Sequence, residues 1–185
     1  MKWRRQTNIR FDCQRSFLRQ QKLPDLKNIY HLQKQKTTDK KSVLLSNKDS
    51  FKYKTSLEIR FADIDMFGHV NNATYFTYME MGRTKYWNHA IKWDWKKTGV
   101  VIGSAAIDYI EPIFLDDKIN IYVKTSRIGS SSFDLEYLIV KERNGSEVVC
   151  SKGKTVCVAF DYSTKKSTPI PEKEKEKMVS FEQLA

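Results

Sequence analysis

The sequence predicts an α+β domain in which one long central helix is wrapped by a curved antiparallel sheet of about five strands. Three observations carry this. Leu57, Ile59 and Phe61 alternate with Glu58 and Arg60, the period-2 signature of a strand with one wet face. After Asn72 the apolar residues Tyr75, Met79, Gly82 and Tyr86, with Phe76 and Trp87 beside them, recur at spacings of three and four, the signature of a helix. Four runs of strand character then follow, split by short turn signals.

The first strand begins near Tyr53. The segment from Asp63 to Asn72 is rich in Asp, Gly and Asn and breaks the pattern, and Asn71 or Asn72 can cap a helix running from about Ala73 to about Ala90. Aromatics on more than one side of that helix predict a mostly buried element. The later strands are placed at Val100 to Ile113, Lys118 to Ile128, Ser132 to Lys141 and Glu147 to Asp161, separated by Asp116-Asp117, Gly129-Ser130 and the hairpin dipeptide Asn144-Gly145. The domain is bounded at residues 51–165. Residues 166–185, with Pro169, Pro171 and a Glu/Lys run, are expected to form a charged tail, helical or disordered and solvated.

The charge lies mainly at one end. Residues 1–50 hold 13 Lys or Arg against 4 Asp or Glu, and the rest of the chain 20 against 18, so the overall +11 divides into +9 and +2. The domain is nearly neutral, and binding to nucleic acid is expected only non-specifically, through residues 1–50. That basic segment has the composition of a transit peptide, of a disordered arm, or of sequence upstream of the natural start. Cys13, Cys150 and Cys157 fit neither a disulfide framework nor a CxxC motif, which favours a reducing, cytoplasmic setting. No stretch approaches the roughly 20 apolar residues needed to cross a bilayer.

The chemistry concentrates in residues 60–72, where two carboxylates, an imidazole and two amides sit at the start of the helix. Free amides and a partial positive charge there polarise a carbonyl and stabilise an oxyanion. An ionised Asp63 or Asp65 can attack the carbonyl or activate water. The same residues are also what a plain strand-to-helix turn selects. A calcium loop would start with Asp63, Asp65 and Gly68 at its first, third and sixth positions, but Phe67 and Thr74 lack the carboxylates that its fifth and twelfth positions require. No second His or Cys lies at ligand spacing from His69. Neither a metal nor a cofactor is expected.

The run Asp63-Ile64-Asp65-Met66-Phe67-Gly68-His69-Val70-Asn71-Asn72-Ala73-Thr74-Tyr75 resembles the D-x-D-x-x-G-H-V-N-N-x-x-Y signature of 4-hydroxybenzoyl-CoA thioesterase-like proteins of the hotdog fold, and the order of elements agrees over roughly residues 51–162. The resemblance implies an acyl-CoA thioesterase with Asp65 as nucleophile or general base. It implies that Gly68 makes the tight turn, that amides around Asn71 and Asn72 form the oxyanion hole, and that His69 and Asn71 orient loop or substrate. Asp63 would support the turn. Tyr75, Met79, Ile107 and Tyr109 would line the acyl space, and Ser130 and Ser131 would hold the pantetheine or phosphate end of CoA. A homodimer or homotetramer is implied, because sites in this fold lie at subunit interfaces. An acyl-ACP thioesterase and a non-enzymatic ligand- or nucleic-acid-binding hotdog protein are the alternatives. Hotdog dehydratases need a His-containing pair on the helix, and His89 lies far along the chain from the motif.

Overall fold

The computed structural model describes residues 48–184. Cys13 and most of the basic segment lie outside the described residues. The last residues of that segment belong to the domain: Lys48–Ser50 form a 3-10 turn, and Lys48 joins Lys54 in ion pairs to Glu147. Burial alone would raise the Glu147 pKa, but hydrogen bonds from Lys48, Lys54 and Tyr122 outweigh it and hold the carboxyl at about 2.

The sheet comprises β1 (Tyr53–Leu57), β2 (Gly99–Tyr109), β3 (Ile119–Ile128), β4 (Ser132–Arg143), β5 (Ser146–Asp161) and the two-residue β6 (Lys166–Ser167). Its order is β1-β3-β4-β5-β2, antiparallel throughout, with β6 pairing the end of β5 beyond the reach of β4. The expected meander is therefore β3-β4-β5, and β2 closes onto β5 as an edge strand. Register shifts between Ile102 and Ser104 and between Thr125 and Arg127 bend the sheet.

The central helix α1 (Thr74–Tyr86) continues into a wider turn at Trp87–Ile91 and ends where Lys92 takes a left-handed conformation, φ 51°. Its buried stripe of Tyr75, Tyr78, Met79, Gly82 and Tyr86 meets Ile121, Val123, Leu135, Tyr137 and Ile139 on the concave face of the sheet. Gly82 is what allows this close approach, since a Cβ there would lie 2.8 Å from the Ile121 side chain. The α+β architecture of a central helix in a curled sheet is thus as predicted. Burial is one-sided, however: Phe76, Thr77, Glu80, Thr84 and Lys85 stay exposed.

Two expectations differ. The first strand stops at Leu57, because the chain turns into a 3-10 helix at Phe61–Asp63, and Phe61 is 83% exposed rather than alternating into the core. The segment after residue 165 is no solvated tail. The helix α2 (Glu172–Glu182) buries Met178 completely, and its Glu182 carboxylate accepts hydrogen bonds from the Tyr86 hydroxyl (2.6 Å) and the Thr125 amide (3.0 Å). The buried face of the helix is Glu174 and Met178, one turn apart, so the Glu/Lys run itself supplies one of the two buried positions and its composition masks the burial. Met178→Ala should destabilise the domain by about 2–4 kcal/mol, measured as a fall in the urea midpoint with unchanged m-value, whereas a solvated tail would tolerate the change.

Candidate active site

The segment between β1 and α1 is fixed from beneath by Asp63, whose side chain is 2% exposed. Its carboxylate accepts from the Arg60 amide (2.9 Å), from the Arg60 guanidinium (2.7 and 3.1 Å) and from the Tyr78 hydroxyl (2.9 Å). Burial works to raise its pKa, but these donors outweigh burial and leave it below the ordinary carboxylate value. The Asp63 carbonyl in turn accepts the Asn71 amide at 2.8 Å, and Ile64 bridges to Val70. Residues 64–70 therefore form a small closed loop standing on the buried Asp63 carboxylate, which an exposed Arg60 pairs.

Asp65 occupies the head of that loop. Its amide donates to the His69 carbonyl (2.9 Å), its carbonyl accepts the Gly68 amide (3.0 Å), and its Oδ1 accepts the Phe67 amide (2.8 Å). Gly68 has φ +82°, a conformation that side chains other than glycine rarely adopt, so the tight turn needs this residue. Oδ2 of Asp65 is left facing Nδ1 of His69 at 3.4 Å, while the His69 ring stacks against Phe67. The Asp65 side chain is 19% exposed and that of His69 33%, so both are open to a ligand while their backbones are held.

Asn71 and Asn72 lead into the helix. The Asn71 side chain accepts the Ala73 amide at 2.9 Å and its carbonyl accepts the Thr74 amide, so it shapes the turn before α1; the N-cap is Ala73 and not the expected Asn71 or Asn72, and no side chain caps it. The Asn72 carbonyl accepts the Tyr109 hydroxyl at 2.9 Å, and its amide has no acceptor among the described residues. Tyr75 is buried and meets the Tyr109 ring edge-on at 5.1 Å. The Val70 amide donates to the Ile113 carbonyl (2.8 Å), tying the site to the loop after β2. The buried Lys141 ammonium pins that loop through Pro112 O (2.6 Å) and Asp117 Oδ2 (3.1 Å).

The structure thus brings Asp65, Gly68, His69, Asn71, Asn72 and Tyr75 together, with Met79, Ile107 and Tyr109 further along the same side of the helix. It does not bring Ser130 and Ser131 to them within one chain. Those residues close the β3–β4 turn, where their carbonyls accept the amides of Ile170 and Ala159 (2.9 Å each). The register of β1 on β3 places the Asp65 loop at the opposite, Ile119 end of β3. His89 packs near Tyr53 and Phe181 at the far end of the helix. Sequence reasoning missed Arg60 and Tyr78. The signal available was a basic residue three before a helix-proximal Asp, and a tyrosine on the apolar stripe that needs a partner for its hydroxyl when buried.

A carboxylate beside an imidazole, next to amides at a helix start and open to solvent, is an arrangement suited to acyl transfer to water. The comparisons with known proteins agree. Residues 59–178 match the thioesterase-like superfamily, and the chain belongs to that family, a hotdog-type family of thioester hydrolases. It is 35% identical over 133 residues to the uncharacterized protein YsmA of Bacillus subtilis, covering 71% of this chain and 88% of that one. It is 25% identical over 127 residues to the long-chain acyl-CoA thioesterase FadM of Escherichia coli, covering 67% and 95%. Among solved structures, a thioesterase of Thermus thermophilus complexed with coenzyme A and zinc superposes with TM-score 0.64 at 32% identity, covering 74% and 98%. Among the described residues no three His, Cys, Asp or Glu side chains converge as a metal would require, and no helix is long and apolar enough to cross a membrane.

Asp63 makes the fold acid-sensitive. Because its folded pKa lies below the unfolded value, its stabilisation is complete above the usual carboxylate range near 4 and is lost as pH falls through the folded value. Asp63→Asn should cost about 1–3 kcal/mol at neutral pH and flatten the acid limb of the stability profile, measured by urea unfolding from pH 7 to pH 3.

Proposed function

We propose that this protein hydrolyses an acyl-CoA thioester to a free acid and coenzyme A, with Asp65 as nucleophile or general base. The observation that carries this is the free Oδ2 of Asp65, which stands beside His69 at the start of α1 while Oδ1 is held by the Phe67 amide. Coenzyme A bound to the Thermus relative, and the acyl-CoA activity of the Escherichia coli relative, support this carrier over acyl-ACP.

In the nucleophilic route Oδ2 attacks the thioester carbonyl carbon, the C–S bond breaks, and the thiolate leaves to be protonated as CoA. Water then cleaves the acyl-aspartyl anhydride, returning the carboxylate and releasing the acid. In the base route Oδ2 takes a proton from the attacking water and delivers it to the thiolate. The developing oxyanion is received in both routes by the helix-start amides, with the Asn72 amide the available donor. His69 orients the carboxylate. Ser130 and Ser131, remote within one chain, would serve the CoA end only of a site completed by a second copy.

That second copy is part of the reading. Among the described residues β2 has one edge of eleven residues without a partner strand, and its side chains Ile102 and Tyr109 are exposed. Antiparallel pairing of two β2 edges would continue the sheet and cover these residues. Sedimentation should therefore report a dimer or a multiple of it, and a monomer at micromolar concentration would overturn this part of the reading.

Asp65→Asn should retain the wild-type melting temperature and lose about a hundredfold or more of kcat/KM for thiol release from acyl-CoA. Undiminished turnover in that variant would remove Asp65 from the chemistry. Single turnover in ¹⁸O water separates the routes, since only attack by the carboxylate introduces label into the protein.

A further inference from the structure

The amide available to receive the oxyanion belongs to Asn72, and that residue is held from across the fold. The turn that carries it has bonds of its own. The Asn71 carbonyl accepts the Thr74 amide (2.9 Å), and the Asn71 side chain accepts the Ala73 amide (2.9 Å). Both bonds lie inside the turn and move with it, so neither sets its direction relative to the sheet. The Phe76 amide turns back to the Ala73 carbonyl (3.1 Å) and passes Asn72 by. Among the described residues no backbone amide reaches the Asn72 carbonyl, and the Tyr109 hydroxyl donates to it at 2.9 Å.

Tyr109 reaches the turn from a fixed base. It is the last residue of β2 and pairs with Ser151 of β5, and the two amides after it, of Ile110 and Glu111, both donate to the Cys150 carbonyl (2.8 and 3.1 Å). Its ring meets the buried Tyr75 ring edge-on at 5.1 Å. A tyrosine has only two side-chain torsions, so with backbone and ring both held the hydroxyl stands at a defined point. Packing on Tyr75 uses the ring alone. The side chain is 46% exposed, and a hydroxyl at such a position can exchange a protein acceptor for water at little cost to the fold.

We infer that Tyr109 is a positioning residue for thioester hydrolysis: by tying the Asn72 carbonyl to the end of β2 it fixes the direction of the Asn72 amide toward the oxyanion. This rests on the thioesterase reading above. Two peptide planes meet at the Asn72 Cα, and both are pinned through their carbonyls, that of Asn71 by the Thr74 amide and that of Asn72 by the Tyr109 hydroxyl. A donor stabilises an oxyanion only when it stands about 2.7–3.1 Å from it, and a displacement of about 1 Å costs on the order of a hundredfold in rate. The role that the resemblance gives Tyr109, a wall of the acyl space, asks for the ring and not for the hydroxyl.

The experiment compares wild type with Tyr109→Phe, which removes the hydroxyl and keeps the ring, by thiol release from acyl-CoAs of several chain lengths and by amide NMR spectra. The expected result is an unchanged melting temperature, KM within about twofold, and kcat lower by about tenfold on every chain length that the wild type hydrolyses. The Asn72 and Ala73 amide resonances should shift, and the Asn72 amide should exchange faster with solvent. A wall of the acyl space would leave kcat and these amides unmoved in Tyr109→Phe, and would show a KM that depends on chain length only in Tyr109→Leu, where the ring is gone. Undiminished kcat in folded Tyr109→Phe overturns the inference and leaves the thioesterase reading standing. So does a fall in kcat with the Asn72 and Ala73 resonances unmoved. No thiol release from any acyl-CoA by folded wild-type protein overturns both.

Discussion

The buried carboxylate of Asp63 is the constraint on which the site depends. A charge withdrawn from water is tolerated only when every lone pair finds a donor, and here Arg60 and Tyr78 supply them from two different elements. Arg60 belongs to the chain arriving from β1 and Tyr78 to the second turn of α1, so satisfying one carboxylate fixes the angle between strand and helix. The backbone of the same residue then accepts Asn71 and closes the loop that presents Asp65. Stability and site geometry are set by one residue, while the group proposed to react stands outside it.

That separation has a physical logic. The Asp65 loop is open and small, with Met66 and Phe67 exposed and glycine at its tightest point, so it has no core of its own. It borrows rigidity from three directions: Asp63 beneath, the Val70 to Ile113 hydrogen bond at one side, and Tyr109 on Asn72 at the other. Lys141 plays for the loop after β2 the part that Asp63 plays before α1, a buried charge whose bonds to Pro112 and Asp117 hold backbone in place. At the opposite end of the helix, Glu182 of α2 ties Tyr86 and Thr125 together. The helix is thus anchored at both ends by polar contacts and along its length by packing, while the flank toward β2 stays uncovered.

The dimer proposed above rests on the open edge of the sheet. Among the described residues β2 has no strand on its outer side, so this edge is the surface on which a second chain would pair.

The sequence by itself determined the elements and the motif. Period 2 in β3 through β5, spacings of three and four in α1, and the Asp-Gly-Asn break between β1 and α1 are local patterns, and local hydrogen bonding and side-chain direction suffice to read them. The tight turn at Gly68 was legible for the same reason, whereas the helix start slipped past the asparagines to leave Ala73 as the cap. Only the tertiary structure decided what depends on contacts distant in sequence. It ended β1 at Leu57 because Asp63 draws the chain into a turn, so the alternation that included Phe61 carried no strand. It folded α2 onto the domain because Met178 is buried and Glu182 finds Tyr86 and Thr125, 96 and 57 residues away, behind a Glu/Lys surface that looks solvated when read alone. It separated Ser130 and Ser131 from Asp65 by the length of β3, a distance fixed by strand register.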